Sequence, residues 1–220
     1  MKKILRSIIS FFLKLLPSLQ SVEYVYAVIL KPKPLRWLTT KILLSLIPES
    51  INLPEGTLYL DQKDPRISGS LALGLYEKFE TKLFRSILLP GMTVVNVGAH
   101  LGYYAFIASK HVGKTGRVVA FEPEPHNFMV LSKNVGNLQN VELHQKAVSD
   151  QEGDVTLRLS DINLGAHTLV PLNSLGRSLI VKTVTLDSVV THADLVIMDI
   201  EGAEPSAFAG MSKLLSQDII

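Results

Sequence analysis

Four short stretches of this 220-residue chain carry side chains suited to holding a nucleoside-containing ligand. The first is Asn96-Val-Gly98-Ala99-His100-Leu-Gly102, a loop whose glycines permit a tight turn and a close approach of backbone to a ligand. The second is Glu122, 24 residues beyond Gly98, a carboxylate able to accept hydrogen bonds from both hydroxyls of a ribose. The third is Ala147-Val-Ser149-Asp150, and the fourth is Asp199-Ile-Glu201-Gly202. Each alone is a weak signal, because a GxxxG or an acid at a strand end often serves packing or capping. Their ordered recurrence at the ends of successive strands is what predicts a cofactor site.

Those strands come from the hydrophobic pattern. Thr93–Val97, Arg117–Phe121 and Val141–His144 are short apolar runs, and Asp194–Asp199 reads as a buried strand. Helices are expected over Gly74–Leu89, Tyr103–His111 and Pro125–Val135, and from about Pro205 to Leu215. Asp154–Leu159 and Leu179–Thr185 alternate as an antiparallel addition, with the polar loop Asn163–Thr168 between them as a candidate substrate lid or a plain hairpin connection. Strands separated by helices predict a parallel α/β sheet with ligands beyond its carboxyl ends. A dinucleotide loop wants glycine where His100 stands, so a cofactor without a pyrophosphate fits better, and S-adenosyl-L-methionine is such a cofactor.

The stretch from about Leu58 to Leu215 resembles the FkbM-type methyltransferases, a branch of the class I S-adenosylmethionine-dependent enzymes. The matching pieces are Leu58–Asp61, Gly74–Glu77, Val94–Tyr104, Val119–Pro123, Asn140–Leu143, Ala147–Asp150, Thr185–Asp187 and Met198–Glu204. The resemblance implies a Rossmann-like sheet with helices on both faces and O-methylation of a hydroxyl on a glycan, lipid-linked sugar or natural product. It implies that Gly98, Ala99 and Gly102 shape the cofactor loop and that Glu122 holds the ribose. Ser149 or Asp150 would lie near the adenine, and Asp199 and Glu201 would flank the methionine end and the acceptor. Two residues depart from the family pattern: Asn96 stands where Asp is usual, and His100 where Asn is usual. Asn96 keeps hydrogen-bonding capacity toward the cofactor but drops a charge. An alcohol acceptor benefits from a general base, and Asp199, Glu201, His100 and His167 are the candidates in that order. Glu201 could equally cap a helix, and Asp199 could serve only to position the cofactor. The six histidines show no metal-ligand spacing, so no metal is expected.

Hydrophobic residues at 47% and charged residues at 19% exclude a disordered chain, and the absence of Cys excludes a disulfide framework and a cysteine nucleophile. The net charge of +2 hides an asymmetry: residues 1–41 carry eight basic side chains against Glu23 alone, and the remainder is net acidic. Met1–Leu16 places Lys3, Ser7, Ser10 and Lys14 on one helical face with apolar residues around the rest, a basic amphipathic helix stopped by Pro17. It suits an anionic membrane surface as well as it suits docking on protein. A second apolar helical stretch runs from Leu35 to Ile47, so residues 1–50 read as a helical appendage and 51–220 as the methyltransferase-like domain. The expected location is the cytoplasm, with residues 1–20 able to sit at the inner membrane surface; no nucleic-acid partner is expected. Class I sheets continue past the fourth motif strand. Ser216–Ile220 therefore reads as the opening of a further strand, and the chain as a C-terminally truncated enzyme with an exposed strand edge. Two other functions compete: an NAD-dependent Rossmann oxidoreductase, and a non-catalytic, membrane-attached binding module of the same fold.

Overall fold

The computed structural model describes Lys41, residues 44–159, 177–217 and 219–220. The amphipathic helix expected over Met1–Leu16 and the polar loop expected around His167 lie outside these residues. Of the second apolar stretch, Lys41 and Leu44–Leu46 are helical. The described chain divides into two compact units, one of residues up to Ile51 with Leu60–Lys78, the other of Asn52–Tyr59 with Phe79–Ile220.

The smaller unit contains α1 (Ile67–Leu73). The fully buried Asp64 starts it: one carboxylate oxygen accepts the N–H groups of Arg66 and Ile67, the other that of Ser68 at 2.7 Å. These are amides that a helix start leaves without intrahelical partners. Gly74 ends α1 in the left-handed region at φ +65°, its N–H returning to Leu71 O. Helix α2 (Lys78–Ile87) begins only four residues later. The single helix expected over Gly74–Leu89 is therefore corrected. Its first residue is the cap of the preceding helix, a position that favours glycine because other residues are strained there.

After the short strands β1 (Ser50–Leu53) and β2 (Gly56–Tyr59), the larger unit is built on four parallel strands in the order β5–β4–β3–β9, namely β3 (Thr93–Val97), β4 (Arg117–Phe121), β5 (Val141–His144) and β9 (Leu195–Met198). Helices α3 (Tyr103–Val112) and α4 (Pro125–Val135) join the first three. Val95, Val97, Val119 and Phe121 pack on one face against Leu186 and Val190, and against Ala207, Met211 and Leu214. Those partners lie on or beside α5 (Leu186–Val189), α6 (Glu204–Ala209) and a short 3-10 turn at Leu214–Ser216. Strand alternation sends Val94, Asn96, Val118 and Ala120 to the other face, where α3 packs on β3 and β4.

A second, three-stranded sheet has the order β6–β8–β7, with β7 (Gly153–Arg158) antiparallel to β8 (Ser178–Val184), as expected, and β6 (Ala147–Val148) parallel to β8. Two further expectations change. Of β9 only Leu195 is fully buried, the rest being half-buried. The helix expected over Pro205–Leu215 stops at Ala209, and Gly210 lies against the loop that follows Val148: a Cβ there would sit 2.0 Å from Ser149 O. Ile220 donates to Asp194 O and accepts from Val196 N, a parallel bridge beside Leu195 on the edge of β9 away from β3.

Candidate active site

The carboxyl ends of β3, β4 and β9 meet at two loops. In the first, Gly98, His100 and Gly102 all have positive φ, at +78°, +50° and +90°. Gly98 N and Ala99 N both donate to Phe121 O, at 3.0 and 2.9 Å, and Gly102 N donates to Ala99 O. The loop is thus folded over the end of β4 by its own amides. Nor are its glycines held open for a ligand, as the sequence suggests. A Cβ on Gly98 would lie 2.1 Å from Asp199 O, and one on Gly102 would lie 2.7 Å from Leu131 Cδ1. Gly98 is the seat of the second loop, and Gly102 the seat of α4.

Glu122 leaves β4 just beneath the first loop. Its Oε2 accepts His100 N at 2.8 Å and its Oε1 accepts Glu124 N at 2.9 Å. Burial pushes its carboxyl up to about 7, although the Glu124 and His100 amides oppose that. The Asn127 side chain also hydrogen-bonds this carboxylate, so of its roughly four acceptor sites about one remains. Asn96 sits on β3 between Ala120 and Ile197, and only 3% of it is exposed. Its Oδ1 is buried without a hydrogen-bond partner, a costly state for a polar atom.

The second loop follows β9. Asp199 N donates to Val97 O, and the Asp199 side chain is exposed; Glu201 is half-buried at φ +51°, followed by Gly202 at φ +94°. Glu204 reaches back over this loop, its Oε1 accepting Ile200 N at 3.0 Å. Burial raises the Glu204 carboxyl, but hydrogen bonds from its own amide and those of Ile200 and Gly202 outweigh this and hold it below the usual range. The remaining candidates sit elsewhere. Ser149 follows β6, with its N–H on Val184 O and its hydroxyl donating to Asp150 Oδ1, and its carbonyl abuts Gly210.

The structure therefore brings Asn96, Gly98, Ala99, His100, Glu122 and Asp199 to one set of strand ends, and ties Ser149 and Asp150 to the region around Gly210. Two supporting residues carry no role in the sequence reading. Buried Asn134 of α4 donates to Leu101 O in the glycine loop and to Tyr59 O, and accepts Tyr59 N. Only its place on the inner face of α4 signals this. Glu204 falls within the motif Met198–Glu204, and an acid opening a helix before Pro205 was the available signal.

A family profile described as the methyltransferase FkbM domain matches residues 96–220, more than half of the chain. The chain belongs to the FkbM methyltransferase family. No curated protein sequence matches it. Similar solved structures include the methyltransferase FkbM from Methylobacillus flagellatus, 15% identical, covering 84% of this chain and 46% of that one at a TM-score of 0.41. Another is an S-adenosylmethionine-dependent methyltransferase from Aquifex aeolicus, 32% identical over 31% of this chain and 38% of that one, TM-score 0.28. A third is fibrillarin from Aeropyrum pernix with natively bound S-adenosyl-L-methionine, 20% identical over 32% of each chain, TM-score 0.28. This FkbM-family chain spans less than half the length of each of these.

The family's cofactor is S-adenosyl-L-methionine, and the residues present fit it. Glu122 keeps about one acceptor site suited to a ribose hydroxyl, and Asn96 Oδ1 is a buried acceptor in want of a donor. Among the described residues no group of three or more His, Asp and Glu could hold a metal ion.

Proposed function

We propose that this chain carries out S-adenosylmethionine-dependent O-methylation of a hydroxyl on a glycan, a lipid-linked sugar or a natural product. The observation that carries the cofactor half of this reading is Glu122, a buried carboxylate with acceptor capacity to spare at the end of the strand next to the glycine loop. The glycine-loop amides support the same choice over NAD. Gly98 N and Ala99 N are committed to Phe121 O, and His100 N to Glu122, so they do not point outward as a pyrophosphate site requires.

In this reading Glu122 holds the ribose and Asn96 offers its carbonyl oxygen to the cofactor's ammonium. When bound, the cofactor supplies a methyl group on a sulfonium. Asp199 and Glu201 line the place of the acceptor, and one of them, or His100, accepts the hydroxyl proton as oxygen becomes nucleophilic. The remaining work is alignment and exclusion of water. We further read residues 1–50 as an appendage to the domain of 51–220, with residues 1–20 able to bind an anionic membrane surface. No helix among the described residues is long and apolar enough to cross a membrane.

Calorimetry of the full chain with S-adenosyl-L-methionine and, separately, with NADH tests the cofactor. The expected result is saturable binding of the first only, and tight NADH binding would overturn it. Transfer of labelled methyl to glycan or lipid extracts tests the reaction, with Asp199→Asn and Glu201→Gln assigning the base by which of them loses kcat.

A further inference from the structure

Glu204 has a role in this site beyond opening a helix. The Asp199–Gly202 loop is awkward for a polypeptide: Glu201 is a non-glycine residue at φ +51°, and Gly202 follows it at φ +94°. Successive amides in such a loop converge on one side and form a concavity that favours an anion. Here the anion is internal. The Glu204 carboxylate accepts Ile200 N at 3.0 Å, and the nearby amides of Gly202 and of Glu204 itself help to hold it ionised. Pro205 in the first turn of α6 restricts the backbone behind it, so the carboxylate is presented from a fixed base. On the opposite side, Asp199 O rests where a Gly98 side chain would be. The loop is thereby clamped between a glycine and a carboxylate.

We propose that Glu204 is a positioning residue: by filling this concavity it holds Asp199 and Glu201 in place for the methionine end of the cofactor and for the acceptor. The inference rests on the cofactor reading above. A helix-capping acid would affect stability alone. A positioning acid also affects one end of the ligand more than the other.

Two ligands separate these ends. S-adenosylhomocysteine has both the nucleoside and the amino-acid end, whereas 5′-methylthioadenosine lacks the latter. Calorimetry of the full chain should show Glu204→Ala binding S-adenosylhomocysteine about tenfold more weakly, the scale of one charge-assisted hydrogen bond. Its affinity for 5′-methylthioadenosine should stay within about twofold, since Glu122 is untouched. Glu204→Gln should recover part of the loss, because its amide oxygen can still accept Ile200 N. Amide hydrogen exchange without any ligand should speed up at Ile200 and Gly202 in Glu204→Ala and less so in Glu204→Gln. Equal weakening toward both ligands, or unchanged exchange at those amides, would overturn the inference. A wild-type chain that binds neither ligand overturns the methyltransferase reading and this inference with it. A wild type that discriminates between the ligands, with both variants unchanged, overturns the inference alone.

Discussion

Glu122 shows how burial makes a residue responsive to its ligand. Its folded carboxyl titrates near 7 and an unfolded one near 4.5, so the folded state holds the proton more tightly between those values. Stability of the ligand-free protein should therefore be highest for this group below pH 4.5 and decline as pH rises through 7, by roughly 3 kcal/mol once ionised. Chemical denaturation at pH 5 and pH 8 measures it, and a Glu122 contribution that rises with pH would contradict the burial argument. Ribose hydroxyls are donors and favour the ionised form, so cofactor binding should strengthen as pH approaches 7 and should release a proton below it. Calorimetry in buffers of different ionisation enthalpy reads that proton directly. Glu122→Ala should weaken binding by about 2 kcal/mol. Asn96→Asp would bury a carboxylate at a position that is only 3% exposed. It should lower the Tm of the free protein while leaving cofactor affinity equal or tighter. The sequence made Asn96 and Glu122 conspicuous by their place after apolar runs, but it could not show that His100 matters through its backbone N–H, which reaches Glu122 whatever its side chain.

Among the elements, those with strong periodicity and clean punctuation were legible to the residue. Arg117–Phe121, Pro125–Val135 and Val141–His144 stand as the pattern predicts, helped in α4 by Glu124 accepting Asn127 N ahead of Pro125. The errors fall at Gly74 and Gly210. A glycine inside a helical pattern carries no mark of whether it caps, breaks or merely sits there; the neighbour that decides it is distant in sequence or a matter of φ. The two glycines Gly74 and Gly98 should respond differently to alanine. Gly74→Ala meets nothing within 4 Å and bears only the left-handed backbone, a loss of about 1 kcal/mol with cofactor binding intact. Gly98→Ala adds a collision with Asp199 O to its strained φ and should cost at least about 3 kcal/mol and most of the cofactor affinity. Similar losses at both sites by thermal unfolding would mean that the Asp199 loop yields easily.

Across the whole molecule, charge is the property least tied to the fold. The basic surplus of residues 1–41 sits on an otherwise acidic chain, and attraction to an anionic surface is screened within about 8 Å at physiological salt. The 220-residue chain should therefore sediment with vesicles containing anionic lipid and be released as salt rises, while the chain lacking residues 1–20 should stay in solution. Equal binding to neutral vesicles at every salt concentration would reject the electrostatic part. The fold class was readable because successive strand ends repeat a motif. The separate β6–β8–β7 sheet was half readable, because alternation reveals β7 and β8 while a two-residue strand such as β6 leaves no pattern. The contact of Gly98 with the Asp199 carbonyl also bears on how such an enzyme can be re-engineered. Loops at strand ends are the usual parts to exchange when new specificity is wanted, and here two of them share a surface with no room for a methyl group. A graft that replaces residues 199–202 must carry over the path of that carbonyl, or bring its own partner for residues 96–102, so the pair is the smallest exchangeable module.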